Sequence, residues 1–271
     1  MAKGISLHIG LNHVDPKHYQ GWDGELNACI ADAKDMRALA KKKGFTGNTL
    51  LLDKHATAAA VGSALQDAAK KLSKGDIFFL TYSGHGGQVR DTNGDEKDND
   101  RMDETWVLYD RQLVDDELYN LWGKFKAGVR ILVLSDSCHS GTVTRNIPEF
   151  TGSGPRPRAM PRSVGIRTEN ANRALYRAIQ DNNRGSEKEK VNASVLLVSG
   201  CMDNQTSMDG DNNGAFTGML KKVWSGGRFK GNYRKLRDKI VSSMPPTQTP
   251  NYYFIGAANT IYEAQKPFTI Q

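Results

Sequence analysis

The chain has 271 residues, 38% of them hydrophobic and 25% charged, with a formal net charge of +7. That length suits one large α/β domain or two small ones around a sizeable core, with the composition of an ordinary soluble globular protein. No apolar run approaches the roughly 20 residues that span a bilayer, which excludes a membrane partner, and no signal peptide is visible, so the cytoplasm is the expected location.

Three cysteines, Cys29, Cys138 and Cys201, are an odd number at wide spacing. They make neither a disulfide framework nor a zinc pattern, and a reducing compartment with a thiol free for chemistry is the simpler account. The positive charge is largely local: residues 145–190 hold ten Lys and Arg against five Asp and Glu. Arg156, Arg158, Arg162, Arg167, Arg173 and Arg177 are not interleaved with aromatics, and no nucleic-acid motif accompanies them, so no nucleic-acid partner is expected.

Residues 5–11 alternate and read as a first strand, followed by a helix over 25–43 that Gly44 stops. A short strand at 49–52 precedes a helix capped by Thr57, with Val61, Leu65, Ala68 and Leu72 as its apolar stripe. Residues 76–82 form the continuous apolar run of a strand buried on both faces, and 106–109 and 129–134 read the same way. A helix over 115–125 lies between those two. From 145 to 190 the pattern dissolves among prolines, glycines and arginines, with one helix expected near 169–181. Order returns with a strand at 194–199, helices at 215–224 and 233–243, and a last strand at 252–255. Strands alternating with helices predict an α/β fold, a mostly parallel sheet with helices on both faces.

Two of the buried strands end in unusual sequences. One runs Tyr82-Ser83-Gly84-His85-Gly86-Gly87, the other Ser135-Asp136-Ser137-Cys138-His139-Ser140-Gly141. In an open parallel sheet, function gathers beyond the carboxyl ends of the strands. Glycines beside His85 let the backbone turn sharply, and small residues around Cys138 leave its neighbouring amides available to a developing oxyanion. A thiol and an imidazole so placed suit nucleophilic catalysis, the thiolate attacking a carbonyl while the imidazole manages protons. His139 is a rival base, but it follows the cysteine on the wrong side of a tight turn.

These two motifs resemble the histidine and cysteine motifs of the metacaspases and orthocaspases, within the caspase-haemoglobinase fold. Leu26-Asn27-Ala28-Cys29-Ile30-Ala31-Asp32-Ala33, Asp103-Glu104-Thr105, the stretch from Ser199 to Ser207 and Gly214-Ala215-Phe216-Thr217 agree with the same family. The resemblance implies a large-subunit-like catalytic region over 1–144, a basic linker or processing loop over 145–190, and a small-subunit-like region over 191–271. With no segment expected before the first strand, the chain looks like an orthocaspase or a shortened metacaspase. It implies a cysteine endopeptidase with a His85–Cys138 dyad that cuts proteins after Arg or Lys. Asp32 and Asp136 would line the pocket with Ser83 as a polar neighbour, because a buried guanidinium needs carboxylates to offset its desolvation. Cys29 and Cys201 read as packing residues.

The resemblance also implies calcium ligands at Asp100, Asp115 and Asp116, and hard oxygen donors suit that cation. The family's fourth aspartate falls where this chain has Thr144 and Arg145, so activity without a metal cofactor is expected. The run Asp209-Gly210-Asp211-Asn212-Asn213-Gly214 imitates half an EF-hand loop, but its twelfth position is Leu220 and it reads as a turn. The basic loop is expected to be the place of regulatory cleavage, in cis or by an upstream activating peptidase. The alternative is an inactive caspase-like pseudo-peptidase serving as a binding or regulatory module.

Overall fold

The computed structural model describes residues 1–94, 101–138, 156–185, 191–202 and 205–271. Nine strands and eight α-helices lie among the described residues. The chain opens β1 (Gly4–Gly10), α1 (Cys29–Lys42), β2 (Thr46–Leu52), α2 (Ala58–Lys71) and β3 (Ile77–Ser83). Thr57 caps α2 as its sequence position predicts, its side chain accepting from the Ala60 amide at 3.2 Å. A hairpin excursion follows, β4 (Gly86–Arg90), β5 (Met102–Val107) and β6 (Gln112–Val114), before α3 (Asp115–Gly123) and β7 (Arg130–Asp136). Then come α4 (Arg162–Ala171), α5 (Arg173–Asn183), β8 (Ser194–Ser199), α6 (Ala215–Trp224), α7 (Tyr233–Val241), β9 (Asn251–Gly256) and α8 (Thr260–Ala264).

The main sheet has the order β2-β1-β3-β7-β8-β9, with only β9 antiparallel to its neighbour. Side chains alternate across it. Phe78, Leu80, Ile131 and Val133 pack with the stripes of α2 and α3, while Ile77, Phe79, Leu132 and Leu134 pack with α1, α6 and α7. All seven residues of β3 and of β7 are buried, which is why both read as unbroken apolar runs.

Two expectations need correction. Residues 106–109 are not another strand of the main sheet: β5 pairs antiparallel with β4 and β6 in a separate three-stranded sheet. Both of β5's partners are short, and glycines dilute the alternation of one of them. The segment from 156 to 185 is also more ordered than its prolines suggest. It carries two helices, broken at Asn172, where one was expected. Tyr176 of α5 is buried in a small cluster with Val89 and Val114, and Gln180 donates to the Arg90 carbonyl at 2.8 Å. No helix among the described residues is long and apolar enough to cross a membrane.

Candidate active site

β3 and β7 run parallel in a register that sets Ser83 opposite Asp136. The stretches that follow, with His85 and Cys138, therefore leave the sheet side by side at its carboxyl edge. A β-carbon on Gly86 would stand 1.6 Å from the Cys138 carbonyl oxygen, so only glycine allows the approach.

His85 is buried, tilted against the Trp22 ring at 4.8 Å between centroids. Its Nε2 lies 3.0 Å from the Gly24 carbonyl. A carbonyl only accepts, so Nε2 carries the proton and Nδ1 the lone pair. Among the described residues Nδ1 has no hydrogen-bond partner. Burial lowers the imidazole to about 4, opposed by the Gly24 carbonyl and the Ala159 backbone, so the ring is neutral. Cys138 Sγ accepts from the Ser207 amide at 2.9 Å. Burial and the adjoining Cys201 push its thiol up, against the pull of that amide. With both groups neutral, the pair is a thiol and a free base rather than an ion pair.

What covers them is the chain's own basic segment. Arg158 is fully buried with its backbone pinned on both sides. Its carbonyl oxygen accepts from the amides of Gly86 at 3.0 Å and Cys138 at 3.1 Å, and its amide donates to the Ser207 carbonyl at 2.9 Å. On either side, the Asp209 amide donates to the Arg156 carbonyl at 2.8 Å and the Met160 amide to the Gly86 carbonyl at 2.8 Å. Pro157 forms an antiparallel bridge with Met208, and Ala159 a parallel one with Gly86. Residues 156–160 thus lie as an added strand, the way peptides dock on a sheet edge.

The Arg158 side chain enters a pocket built from both halves of the chain. Nη2 meets Asp32 Oδ2 at 2.8 Å and Asp209 Oδ1 at 2.9 Å. Nη1 donates to Ser83 Oγ at 2.8 Å and to the Asp136 carbonyl at 3.0 Å, and stands 3.1 Å from Asp136 Oδ1. Three carboxylates exceed one guanidinium, and helix N-termini offset the surplus. Asp136 Oδ2 accepts from the amide and hydroxyl of Thr217 in the first turn of α6, and Asp209 from the amides of Asn27 and Ala28 before α1. Asp32 accepts from the Gly214 amide and Asn213. Burial still raises the Asp32 carboxyl to about 6, and Arg158 opposes that rise. A β-carbon on Gly214 would lie 2.5 Å from Arg158 Cζ, so this glycine clears the guanidinium's seat.

The expected Asp32, Ser83 and Asp136 therefore converge on one cation. Asp32 does not face solvent as a helix-surface residue would, and Asp136 is a helix cap and a pocket wall at once. Sequence reasoning missed Asp209, taken for part of a turn. Its one available signal was its place two residues beyond the stretch ending at Ser207. Cys29 and Cys201 are both buried, and Cys201 borders Cys138.

Of the expected metal ligands, Asp100 lies outside the described residues, as do His139, Thr144 and Arg145. Asp115 and Asp116 stand at the start of α3, where Asp116 Oδ2 accepts from Asn93 at 2.9 Å. Among the described residues no group of three or more His, Cys, Asp or Glu is placed to hold a metal ion. Two carboxylates fall short of the six to eight oxygens calcium takes, so the described residues do not by themselves fit it.

A mostly parallel α/β sheet, with a thiol, a histidine and an acid-lined pocket at its carboxyl edge, defines a caspase-like architecture. The family model described as Caspase domain matches residues 11–261, and the chain belongs to that family. It is 31% identical over 251 residues to Metacaspase-1 of Kluyveromyces lactis, covering 79% of this chain and 56% of the relative. With Metacaspase-1 of Mycosarcoma maydis it shares 30% identity over 251 residues, 80% of this chain and 60% of the relative. The chain thus spans little more than half the length of these curated relatives. The crystal structure of protein GSU0716 from Geobacter sulfurreducens is similar at 54% identity and a TM-score of 0.91, covering 99% of each chain. Caspase-1 from Spodoptera frugiperda, at 10% identity and a TM-score of 0.54 over 94% of this chain and 86% of that one, shares the fold alone. The metacaspase resemblance and the caspase-haemoglobinase fold expected from the motifs both stand.

Proposed function

We propose that the chain is a cysteine endopeptidase that cuts proteins after arginine or lysine, and that it processes itself at the Arg158–Ala159 bond. The observation that carries the proposal is the seating of Arg158, whose guanidinium fills the acidic pocket while its carbonyl accepts from two convergent amides. Two amides on one carbonyl oxygen are what an oxyanion would need, which supports reading this carbonyl as the scissile one. In the proposed reaction, His85 Nδ1 takes the Cys138 proton and Sγ attacks the carbonyl carbon. The oxygen gains its charge between the Gly86 and Cys138 amides. Collapse breaks the C–N bond, and the amine leaves with the proton from His85. Water then hydrolyses the thioester. Arginine matches the planar array of partners better than lysine, whose ammonium is a point charge, so arginine is the preferred residue.

The uncut segment fills the pocket that another protein's basic residue would need. Cleavage, in cis or by a partner peptidase, is the proposed release. An inactive binding module is the second reading, since the pocket alone could hold a basic segment; the Nδ1 of His85, without a hydrogen-bond partner among the described residues, favours the enzyme. A panel of fluorogenic peptides and N-terminal sequencing of the incubated protein test both. We expect turnover after Arg, slower turnover after Lys and none after Asp, with a new N-terminus at Ala159 that Cys138→Ala abolishes. Efficient cleavage after Asp overturns the specificity, and an intact, fully active single chain overturns the self-processing.

A further inference from the structure

Resting on the reading that residues 156–160 lie as a substrate does, we infer a further activity. The enzyme also joins Arg158 to Ala159, so its own cut is reversible and the chain acts as a peptide ligase toward itself.

The same groups catalyse cutting and joining, and the outcome is decided by whether the two ends depart. Here both ends are anchored independently of the bond between them. Upstream, the Arg158 guanidinium is seated among three carboxylates. Downstream, Ala159 and Met160 are 2% and 3% exposed, Ala159 in its bridge with Gly86 and Met160 with its amide on the Gly86 carbonyl. The Met160 side chain belongs to the main apolar core, as does Val164 of α4. Glu169 of α4 pairs with Arg90 at 3.6 Å. In α5 the Tyr176 hydroxyl lies 2.7 Å from His18 Nε2 and accepts from the Gln112 amide at 3.2 Å, and Asn183 accepts from Asn120 at 2.7 Å. The partners Gly86, Arg90, His18, Gln112 and Asn120 all precede the cut, and none of these contacts uses the Arg158–Ala159 bond. The new amine therefore stays beside the carbon it has left. Well-oriented groups act as though present at on the order of 10⁵ M, above the concentration of any liquid, so this amine competes with water for the thioester.

Burial also removes part of the ordinary drive toward hydrolysis. In water the new amine and carboxyl gain by ionising. The Ala159 amine would instead lie in an apolar cluster with Cys138 and Cys201, where an unpaired charge is costly. It stays neutral, with the lone pair that attack requires. In joining, Cys138 Sγ attacks the Arg158 carboxyl carbon as its proton passes to His85 Nδ1, and the hydroxyl departs with that proton as water. The Ala159 nitrogen then attacks the thioester carbon. The C–S bond breaks, and the surplus amine proton passes through His85 to Sγ. The products are the amide, the free thiol and one water, with no other reactant consumed. Cut and uncut chains then coexist, and the pocket opens only when one anchored stretch leaves.

The test incubates the full chain in water enriched in heavy oxygen. Cutting places one solvent oxygen in the Arg158 carboxyl, and joining retains one of its two oxygens. Label should therefore build up at the Arg158 carbonyl of the intact chain, towards the solvent enrichment, and not in Cys138→Ala. Mass spectrometry of a peptide spanning residues 158–159, released by a protease that spares arginine, locates it. Purified two-chain protein in ordinary water should regain the intact chain, reaching the same ratio of cut to uncut. Label confined to the cut product, or two-chain protein that stays fully cut, overturns the ligase inference and leaves self-processing standing. Neither cut nor label, while a fluorogenic arginine peptide is turned over in the same sample, overturns self-processing and this inference together. Loss of peptide turnover as well overturns the peptidase reading.

Discussion

Arg158 and Asp32 stand 126 residues apart in sequence and form an ion pair of 2.8 Å with both side chains buried. Such pairs contribute little net stability, but removing one partner leaves buried charge uncompensated, at a cost of about 3–5 kcal/mol. In the Cys138→Ala background, which cannot cut itself, Arg158→Gln should therefore lower stability by roughly that amount near pH 8. Without Arg158 the Asp32 carboxyl should rise further above its present value of about 6. A carboxyl raised in the folded state favours folding below its unfolded pKa of about 3.9 and loses that contribution as pH rises through the folded value. The deficit should shrink as pH falls from 8 towards 4. Urea unfolding of the two proteins across that range measures it, and a deficit that does not change with pH removes the argument.

Cys138→Ala and His85→Ala should each reduce peptidase activity by at least about a hundredfold while the fold survives. The double variant should be little worse than either single one, because the two groups act as a unit. Peptide turnover alongside thermal unfolding separates chemistry from folding. More than a few per cent of activity left in Cys138→Ala would count decisively against the assignment.

The pocket should be tunable from several sides. Asp136→Asn and Asp209→Asn should each remove most of the preference for arginine over neutral residues, the second testing a residue that sequence motifs did not suggest. Gly214→Ala should act by shape, since its β-carbon would lie 2.5 Å from the guanidinium carbon. Ratios of kcat/KM for peptides with Arg and with norleucine before the bond report this directly. An unchanged ratio in all three variants means the pocket lies elsewhere.

Activity should persist in excess chelator. Asp115 and Asp116 provide two carboxylates near the start of α3, too few for calcium without help from beyond the described residues. Turnover measured with and without a strong calcium chelator decides it. A sharp requirement for millimolar calcium would restore Asp100, Asp115 and Asp116 as ligands.

Acid should destabilise the protein through its buried histidines. Burial lowers His8 to about 3 and His85 to about 4. A depressed folded value gives stability that is complete above the unfolded pKa near 6.5 and lost as pH falls towards the folded one. Each imidazole should cost about 1.4 kcal/mol per pH unit across that window. His8 lies in β1, its Nδ1 2.9 Å from Thr81 Oγ1, away from the candidate dyad. His8→Gln should flatten the fall in urea midpoint between pH 6.5 and 4, and an unaltered slope would disprove the attribution.

Much of this was written locally in the chain. The apolar runs over 76–82 and 129–134 announced strands buried on both faces, Thr57 announced a helix start, and glycines beside His85 and small residues beside Cys138 marked strand ends suited to chemistry. Those signals depend on residues within a few positions of one another, so periodicity and turn preference expose them. The family motifs added Asp32, Ser83 and Asp136, though their convergence on one cation was not visible in the string. The sheet of β4, β5 and β6 stayed hidden because its strands are short and antiparallel pairing depends on partners. Which of ten basic residues between 145 and 190 enters the pocket, and that Asp209 and Gly214 shape it, only the tertiary structure decided. A buried guanidinium selects carboxylates by distance and direction in space, and β3, β7, the loop before α1 and the turn before α6 meet around Arg158 only once the sheet has formed.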